Sequence, residues 1–266
     1  EIRFCDWSSD VCSSDLPEVN ACLGSLVSTL RSWQARGFGE DLAERPDLAE
    51  AASELPRLCA IAECEMEKWW CRKILASECP GAQALQAFWY LDEYEALHRA
   101  EVELLGEKRG GRFAFLGSGA LPVTAILIAR DCAETSVACV DCDGEACELA
   151  ERLIALMGLK DRIAIVDIDA ETYPSESDET IICASLLRAP GLFTTLQDRR
   201  TRRLIVRDAE GPYRFCYRPA VLPGREFVER AKSPVSSGRI NTSRYFEARE
   251  RGADLAALPS EAYLLS

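Results

Sequence analysis

The stretch Arg112 to Arg130 constrains this chain more than any other. Phe113 to Leu116 is a short apolar run of the kind that forms a buried parallel strand. Gly117-Ser118-Gly119 breaks it, and Pro122 suits the first turn of a helix that continues through Val123 to Ala129 without a breaker. Strand, glycine turn and helix form the first unit of a doubly wound, Rossmann-like α/β sheet. Such a turn lets a ligand approach bare backbone beside the positive end of the helix.

The next strand narrows the ligand. Ser136 to Val140 is a second apolar run, and it ends in Asp141, 24 residues beyond Gly117. An acid at that tip typically takes the two hydroxyls of a ribose. Pro122 stands where the dinucleotide pattern has its third glycine, which counts against NAD or FAD, whose pyrophosphate needs close backbone approach. S-adenosylmethionine has a ribose and no phosphate, and fits better. The residues expected on its side of the site are Gly117, Ser118, Gly119, Leu121, Pro122, Asp141 and Cys142.

Further strands are expected at Arg162–Val166, Thr180–Ala184 and Arg203–Arg207, and helices at Pro122–Cys132, Gly144–Met157 and Gly191–Thr201. This alternation means a mostly parallel sheet. Tyr213–Arg218 and Thr242–Arg249 read as late strands, an antiparallel closing pair. Before the sheet the pattern is helical. Val19, Leu23, Leu26, Val27 and Leu30 recur at three- and four-residue steps, and Gly37 and Gly39 end that helix. Asp47 to Ser77 reads as one helix or two, interrupted by Pro56. Ala82 to Leu105 reads as another, with Phe88, Trp89, Tyr90 and Tyr94 crowded in its first half. A polar hinge at Glu107 to Gly111 separates an all-helical cap domain, 17–109, from the Rossmann-like S-adenosylmethionine-binding domain, 110–266. Residues 1–16 fit nothing that follows, resemble translated sequencing-adapter read-through, and are set aside as a non-native leader.

A net charge of −13 argues against a nucleic-acid partner. No apolar run approaches the roughly 18 residues that span a bilayer, and no secretory signal is visible, so a cytoplasmic protein acting on small molecules is expected. The 13 cysteines include one C-x-x-C, Cys139 and Cys142, placed along a buried strand and its tip. With no second C-x-x-C and only one histidine, His98, neither a bound metal nor a Ser-His-Asp triad is expected. His98 is assigned to a polar helical face.

Several stretches together resemble the nicotianamine synthase family. Gly-Ser-Gly-Ala-Leu-Pro-Val-Thr at Gly117 to Thr124 is similar to the family's Gly-Ser-Gly-Pro-Leu-Pro-Leu-Thr. Phe88 to Leu97, followed by Glu101, is similar to its Phe-Pro-Tyr-Tyr-x-Asn-Tyr-x-x-Leu and following glutamate, with Trp89 for proline and Glu93 for asparagine. Gly238 to Ser243 resembles its Val-Ile-Asn-Ser, and Leu58 to Glu63 with Glu67 its Leu-Cys-Gly-Glu-Ala-Glu and following glutamate. The resemblance implies a class I methyltransferase-type sheet under a helical cap. It also implies transfer of the 3-amino-3-carboxypropyl group of S-adenosylmethionine, with methylthioadenosine leaving. Repeated transfers give nicotianamine, and a bacterial branch moves one group onto histidine for opine metallophores. A conventional methyltransferase is the alternative on the same sheet.

The chemistry asks for a base, because an attacking amine titrates near 8 and must lose a proton. A carboxylate serves only if burial raises its pKa. By the resemblance the catalytic glutamate falls on Glu67 and the catalytic tyrosine on Tyr94. Glu63 shares a helical face with Glu67 at i and i+4 and is a second candidate, with Glu65 also near. Tyr90 is expected on the acceptor side. Asp169 sits where related enzymes contact the adenine amino group, with Asp167 competing or either capping a turn. Arg207 is expected to take a substrate carboxylate or a surface salt bridge. Oligomeric state is left open.

Overall fold

The structure is a computed structural model and describes residues 16–39, 42, 44–79, 81–236 and 238–249. Of the segment 1–16 set aside above, residues 1–15 lie outside the described residues, and Leu16 opens α1 (Leu16–Ala35). α1 turns Val27 and Leu30 into the core and ends before Gly37, whose φ of 79° only glycine adopts freely.

α2 (Ala49–Leu75) is one continuous helix, not two, and runs through Pro56. The proline removes one backbone hydrogen bond. The helix continues because Cys59, Met66, Trp70, Cys71 and Ile74 form a buried stripe along it. The single helix expected over Ala82–Leu105 is instead broken into α3 (Gly81–Leu85) and α4 (Leu91–Leu105). The break is where the aromatics crowd: Phe88 and Tyr90 are buried in the turn, and the Trp70–Phe88 and Tyr90–Tyr94 ring centroids lie 5.5 and 5.9 Å apart. Burying these rings outweighs helix continuation.

The sheet contains β1 (Arg112–Leu116), β2 (Ser136–Asp141), β3 (Ile163–Asp167), β4 (Thr180–Cys183), β5 (Arg203–Asp208), β6 (Phe227–Lys232) and β7 (Thr242–Ala248). Its order is β3-β2-β1-β4-β5-β7-β6, with β1 to β5 parallel and β7 antiparallel to both neighbours. Strand order reverses between β1 and β4, the crevice where doubly wound sheets bind ligands. Alternation along β1 sends Phe113 and Phe115 to one face and Ala114 and Leu116 to the other. The first face carries α5 (Val123–Asp131), α6 (Gly144–Leu156) and the N-terminal helices in one continuous apolar cluster. The second is covered by α7 (Leu192–Asp198).

One expected strand is absent. Residues 211–215 form a 3-10 turn, and the partner of β7 is β6. Gly211 has φ 55° and Pro212 follows it, both unsuited to a ladder. The turn buries Tyr213, Phe215, Cys216 and Tyr217 together, which an alternating strand cannot do.

Candidate active site

The site assembles where the tips of β1 and β2 meet the helices. β1 ends in Gly117 (φ 76°) and Gly119 (φ 66°), and the Gly117 and Ser118 N–H groups donate to the Val140 carbonyl. Asp141, at the tip of β2, faces this bend: its Oδ2 accepts from the Gly119 N–H at 2.8 Å and its Oδ1 from the Asp143 N–H at 3.0 Å. Burial raises the Asp141 pKa, while those N–H groups oppose the rise. Leu121 and Pro122 are buried, and Pro122 caps α5 rather than lying in its first turn.

The helices put carboxylates over this bend. Glu67 Oε1 accepts from the Tyr94 hydroxyl at 2.7 Å, joining α2 to α4. Its other oxygen lies against Gly119, where an added Cβ would sit 2.1 Å from it. The Leu121 backbone N–H also faces this carboxylate. Glycine is thus required at 119 twice, for its positive φ and for the space Glu67 occupies. Glu63, one turn earlier, accepts from the Tyr217 hydroxyl at 2.8 Å. Both glutamates keep some solvent contact while protein surrounds them, as groups lining a cleft do. Burial pushes Glu67 up to about 8, with the Glu63 and Asp141 charges adding to it and the Tyr94 bond opposing it. Burial pushes Glu63 up to about 7 against the bond from Tyr217. Burial, then the charges of Glu67 and Glu63, hold the Tyr94 phenol well above its usual value. A carboxyl titrating near neutrality beside an anion-favouring helix start is suited to exchanging a proton with an amine.

Other expected residues are placed differently. Tyr90 is buried against Tyr94 and near Glu63. Cys142 is exposed beside Asp141. Asp169 is exposed and accepts from the Glu171 N–H at 2.8 Å, the turn-capping role. Asp167 is paired in register with Asp141 across β2 and β3. Glu65 turns away from the bend to Lys68, which also binds Asp143 at 2.7 Å and ties α2 to the start of α6.

Arg207 is neither a surface ion pair nor open to a substrate through its fork. Its Nε and Nη2 donate to Glu101 at 2.8 and 2.9 Å, and Nη2 also donates to Thr124 Oγ1 at 2.9 Å. Ser243 Oγ donates to the same glutamate at 2.8 Å. This buried network joins β5, α4, α5 and β7. His98 is not on a polar face: it is buried, with Nε2 2.7 Å from Asp131 Oδ2. A cavity of about 310 Å³ lined by His98, Glu101, Phe113, Ile128, Asp131 and Ile205 lies between α4, α5 and the sheet, away from the glycine bend.

Sequence reasoning missed Tyr217, because it read that segment as a strand. It also missed Ser185, whose hydroxyl donates to Asn241 Oδ1 at 2.9 Å. Asn241 lies in the family-like stretch Gly238 to Ser243, a signal that could have drawn attention to its partner. The loop after β4 closes the bend from the other side, since Ala184 and Leu187 lie against Gly117.

A family model described as nicotianamine synthase protein matches residues 9–187. The chain belongs to the nicotianamine synthase family. It is 31% identical over 228 residues to nicotianamine synthase 9 of Hordeum vulgare, covering 79% of this chain and 65% of that one. It is 24% identical over 241 residues to an L-histidine 2-aminobutanoyltransferase of Pseudomonas aeruginosa, covering 88% and 86%. A crystal structure of MtNAS in complex with MTA and tNA has the same fold, with a TM-score of 0.78, 19% identity and coverage of 92% and 93%. No helix among the described residues is long and apolar enough to cross a membrane.

Proposed function

We propose that the protein transfers the 3-amino-3-carboxypropyl group of S-adenosylmethionine to an amine and releases methylthioadenosine, building a nicotianamine-type metal chelator. The observation that carries this reading is Glu67, held by Tyr94 directly over Gly119. On this reading Glu67 is the proton acceptor beside the bend that takes the nucleoside. Asp141 takes the ribose hydroxyls, and Gly117, Ser118, Gly119, Leu121 and Pro122 shape the backbone around the nucleoside. Cys142 and Asp169, or Asp167 in its place, border the adenine.

In the reaction the acceptor nitrogen gives its lone pair to the γ-carbon of the aminocarboxypropyl group. The carbon–sulfur bond breaks, and its electron pair neutralises the sulfonium. The proton released by the nitrogen goes to Glu67, with Tyr94 holding the carboxylate in place. Tyr90 and Glu63 line the acceptor side. Eleven free cysteines among the described residues suit a reducing, cytoplasmic setting. The relatives' names favour two acceptors, a growing aminocarboxypropyl chain or histidine. Mass spectrometry after incubation with S-adenosylmethionine, with and without histidine, tests the reading. Methylthioadenosine with an acceptor heavier by one aminocarboxypropyl group supports it; S-adenosylhomocysteine would show a methyltransferase instead.

A further inference from the structure

The Tyr94 hydroxyl meets Glu67 at 2.7 Å, and α4 has to hold it at that height. Tyr94, His98 and Glu101 follow one another at i, i+4 and i+7 on the inward face of α4. Glu101 therefore stands about 10 Å along the helix from Tyr94. Between this face, α5 and the sheet lies the cavity of about 310 Å³, bordered by His98, Glu101, Phe113, Ile128 and Ile205. Apolar packing across a gap of that size does not fix the position of a helix. Polar ties span it instead. His98 reaches Asp131, at the end of α5, at 2.7 Å. Glu101, only 2% exposed, takes the Arg207 Nε and Nη2 at 2.8 and 2.9 Å and the Ser243 hydroxyl at 2.8 Å. The Arg207 Nη2 also donates at 2.9 Å to Thr124, in the first turn of α5, two residues beyond Pro122. The guanidinium lies over the Phe115 ring, 5.0 Å from its centroid and two residues before Gly117. Burial opposes the Arg207 charge; Glu101 first, then the Tyr94 and Tyr217 phenols, outweigh it and raise the pKa. The pair thus joins the helix that carries Tyr94 to the strand and helix that carry the glycine bend. A buried ion pair is weak support for stability, since apolar residues of similar size do as well or better. What this one supplies is direction, through four hydrogen bonds of fixed geometry.

We propose that Glu101 and Arg207 are a positioning pair: they pin α4 to the β1–α5 unit so that Tyr94 holds Glu67 over Gly119. This rests on the transfer reaction proposed above and adds two residues that touch no substrate but act through Tyr94. Without the pair α4 has no directional tie to the bend except through His98, at the far end of α5. A shift of a fraction of an ångström at Tyr94 is then enough to misplace the proton acceptor.

The test is a cycle of four whole-chain proteins: the wild type, Glu101→Leu with Arg207→Leu, Tyr94→Phe, and all three substitutions together. Methylthioadenosine release gives kcat and KM, and calorimetry gives the Kd for S-adenosylmethionine. The paired leucines should lower kcat by about tenfold or more, with KM and Kd within about twofold of the wild type. In the Tyr94→Phe background the same leucines should change kcat by less than about twofold, because the contact they serve is already gone. Arg207→Lys keeps the charge and loses the fork, and should fall between. If the leucines prevent folding, Glu101→Gln, which keeps the side chain's shape, takes their place in the cycle. A kcat within about twofold of the wild type in the paired-leucine protein overturns the proposal. So do losses that multiply with Tyr94→Phe, because the pair then acts elsewhere, and so does a weakened Kd with kcat intact. Urea unfolding of the same four proteins needs no turnover. Tyr94→Phe should lower the wild-type midpoint by roughly 0.5 M and leave that of the paired-leucine protein unchanged. Equal shifts in both backgrounds overturn the pinning of Tyr94, whereas a wild type that releases no methylthioadenosine with any acceptor overturns the transfer reaction itself.

Discussion

Replacing Glu67 with glutamine should abolish turnover and make the fold more stable, in a way that depends on pH. Glutamine keeps the shape of the side chain and can still accept from the Tyr94 hydroxyl. The carboxyl ordinarily titrates at 4.5, and burial, first of all, pushes it up to about 8 in the folded protein. Between these values the folded chain holds a proton that the unfolded chain has released. Stability therefore falls as pH rises through this window. Each pH unit above the unfolded value costs about 1.4 kcal/mol, so protonated Glu67 costs on the order of 3 kcal/mol near neutral pH. Glutamine removes that cost. The variant should match the wild type near pH 4.5, gain on the order of 3 kcal/mol by about pH 7, and level off above about pH 8. For a chain of this size the gain appears as a Tm higher by roughly 2–4 °C per kcal/mol. Urea unfolding at a series of pH values measures it directly. A gain that is the same at every pH, or no gain near pH 8, would refute a buried, proton-holding Glu67. Loss of binding to S-adenosylmethionine would assign the activity loss to a damaged nucleoside site.

Four other outcomes follow from the geometry. The kcat/KM of the wild type should rise with pH and level off above about 8 as Glu67 loses its proton, and a pH–rate profile flat across that region would remove it as the base. Gly119→Ala should place a methyl group where Glu67 now lies and strain a φ of 66°, lowering kcat by about 100-fold or more; normal turnover would contradict the close approach. Asp141→Asn should weaken S-adenosylmethionine binding by about tenfold or more in calorimetry, since it loses charge-assisted acceptance from Gly119 and the ribose; unchanged Kd would place the ribose elsewhere. Arg207→Leu should destabilise the fold by about 3–5 kcal/mol by leaving Glu101 charged and buried, and adding Glu101→Leu should recover most of that. A single variant as stable as the wild type would show that the pair contributes nothing.

The local patterns that survive folding are short-range. β1 occupies the residues its apolar run marks out, and Gly117 and Gly119 take positive φ where the turn needs it. Asp141 faces the bend because β2 lies beside β1 in register. Long-range packing decided the rest. Pro56 stayed inside α2 because a buried stripe on the same helix held it there. The aromatics of Phe88 to Tyr94 broke a helix that propensity alone would continue. His98 reads as solvent-facing because polar residues on a helix usually are. α4 instead turns Tyr94, His98 and Glu101 inward as a polar stripe, each with its own partner: Glu67, Asp131 and Arg207.

The sequence alone therefore determined the sheet, the glycine bend, the acid that faces it and the family to which they belong. These rest on residue types at fixed spacings within one strand–turn–helix unit, and local sterics and hydrogen bonding enforce them. Only the tertiary structure decided which carboxylate lies over Gly119, that Tyr217 holds Glu63, and that Arg207 is committed to Glu101. Those outcomes depend on which distant side chains packing brings within a few ångströms. Burial then sets how their charges behave, and neither is encoded in the neighbours along the chain.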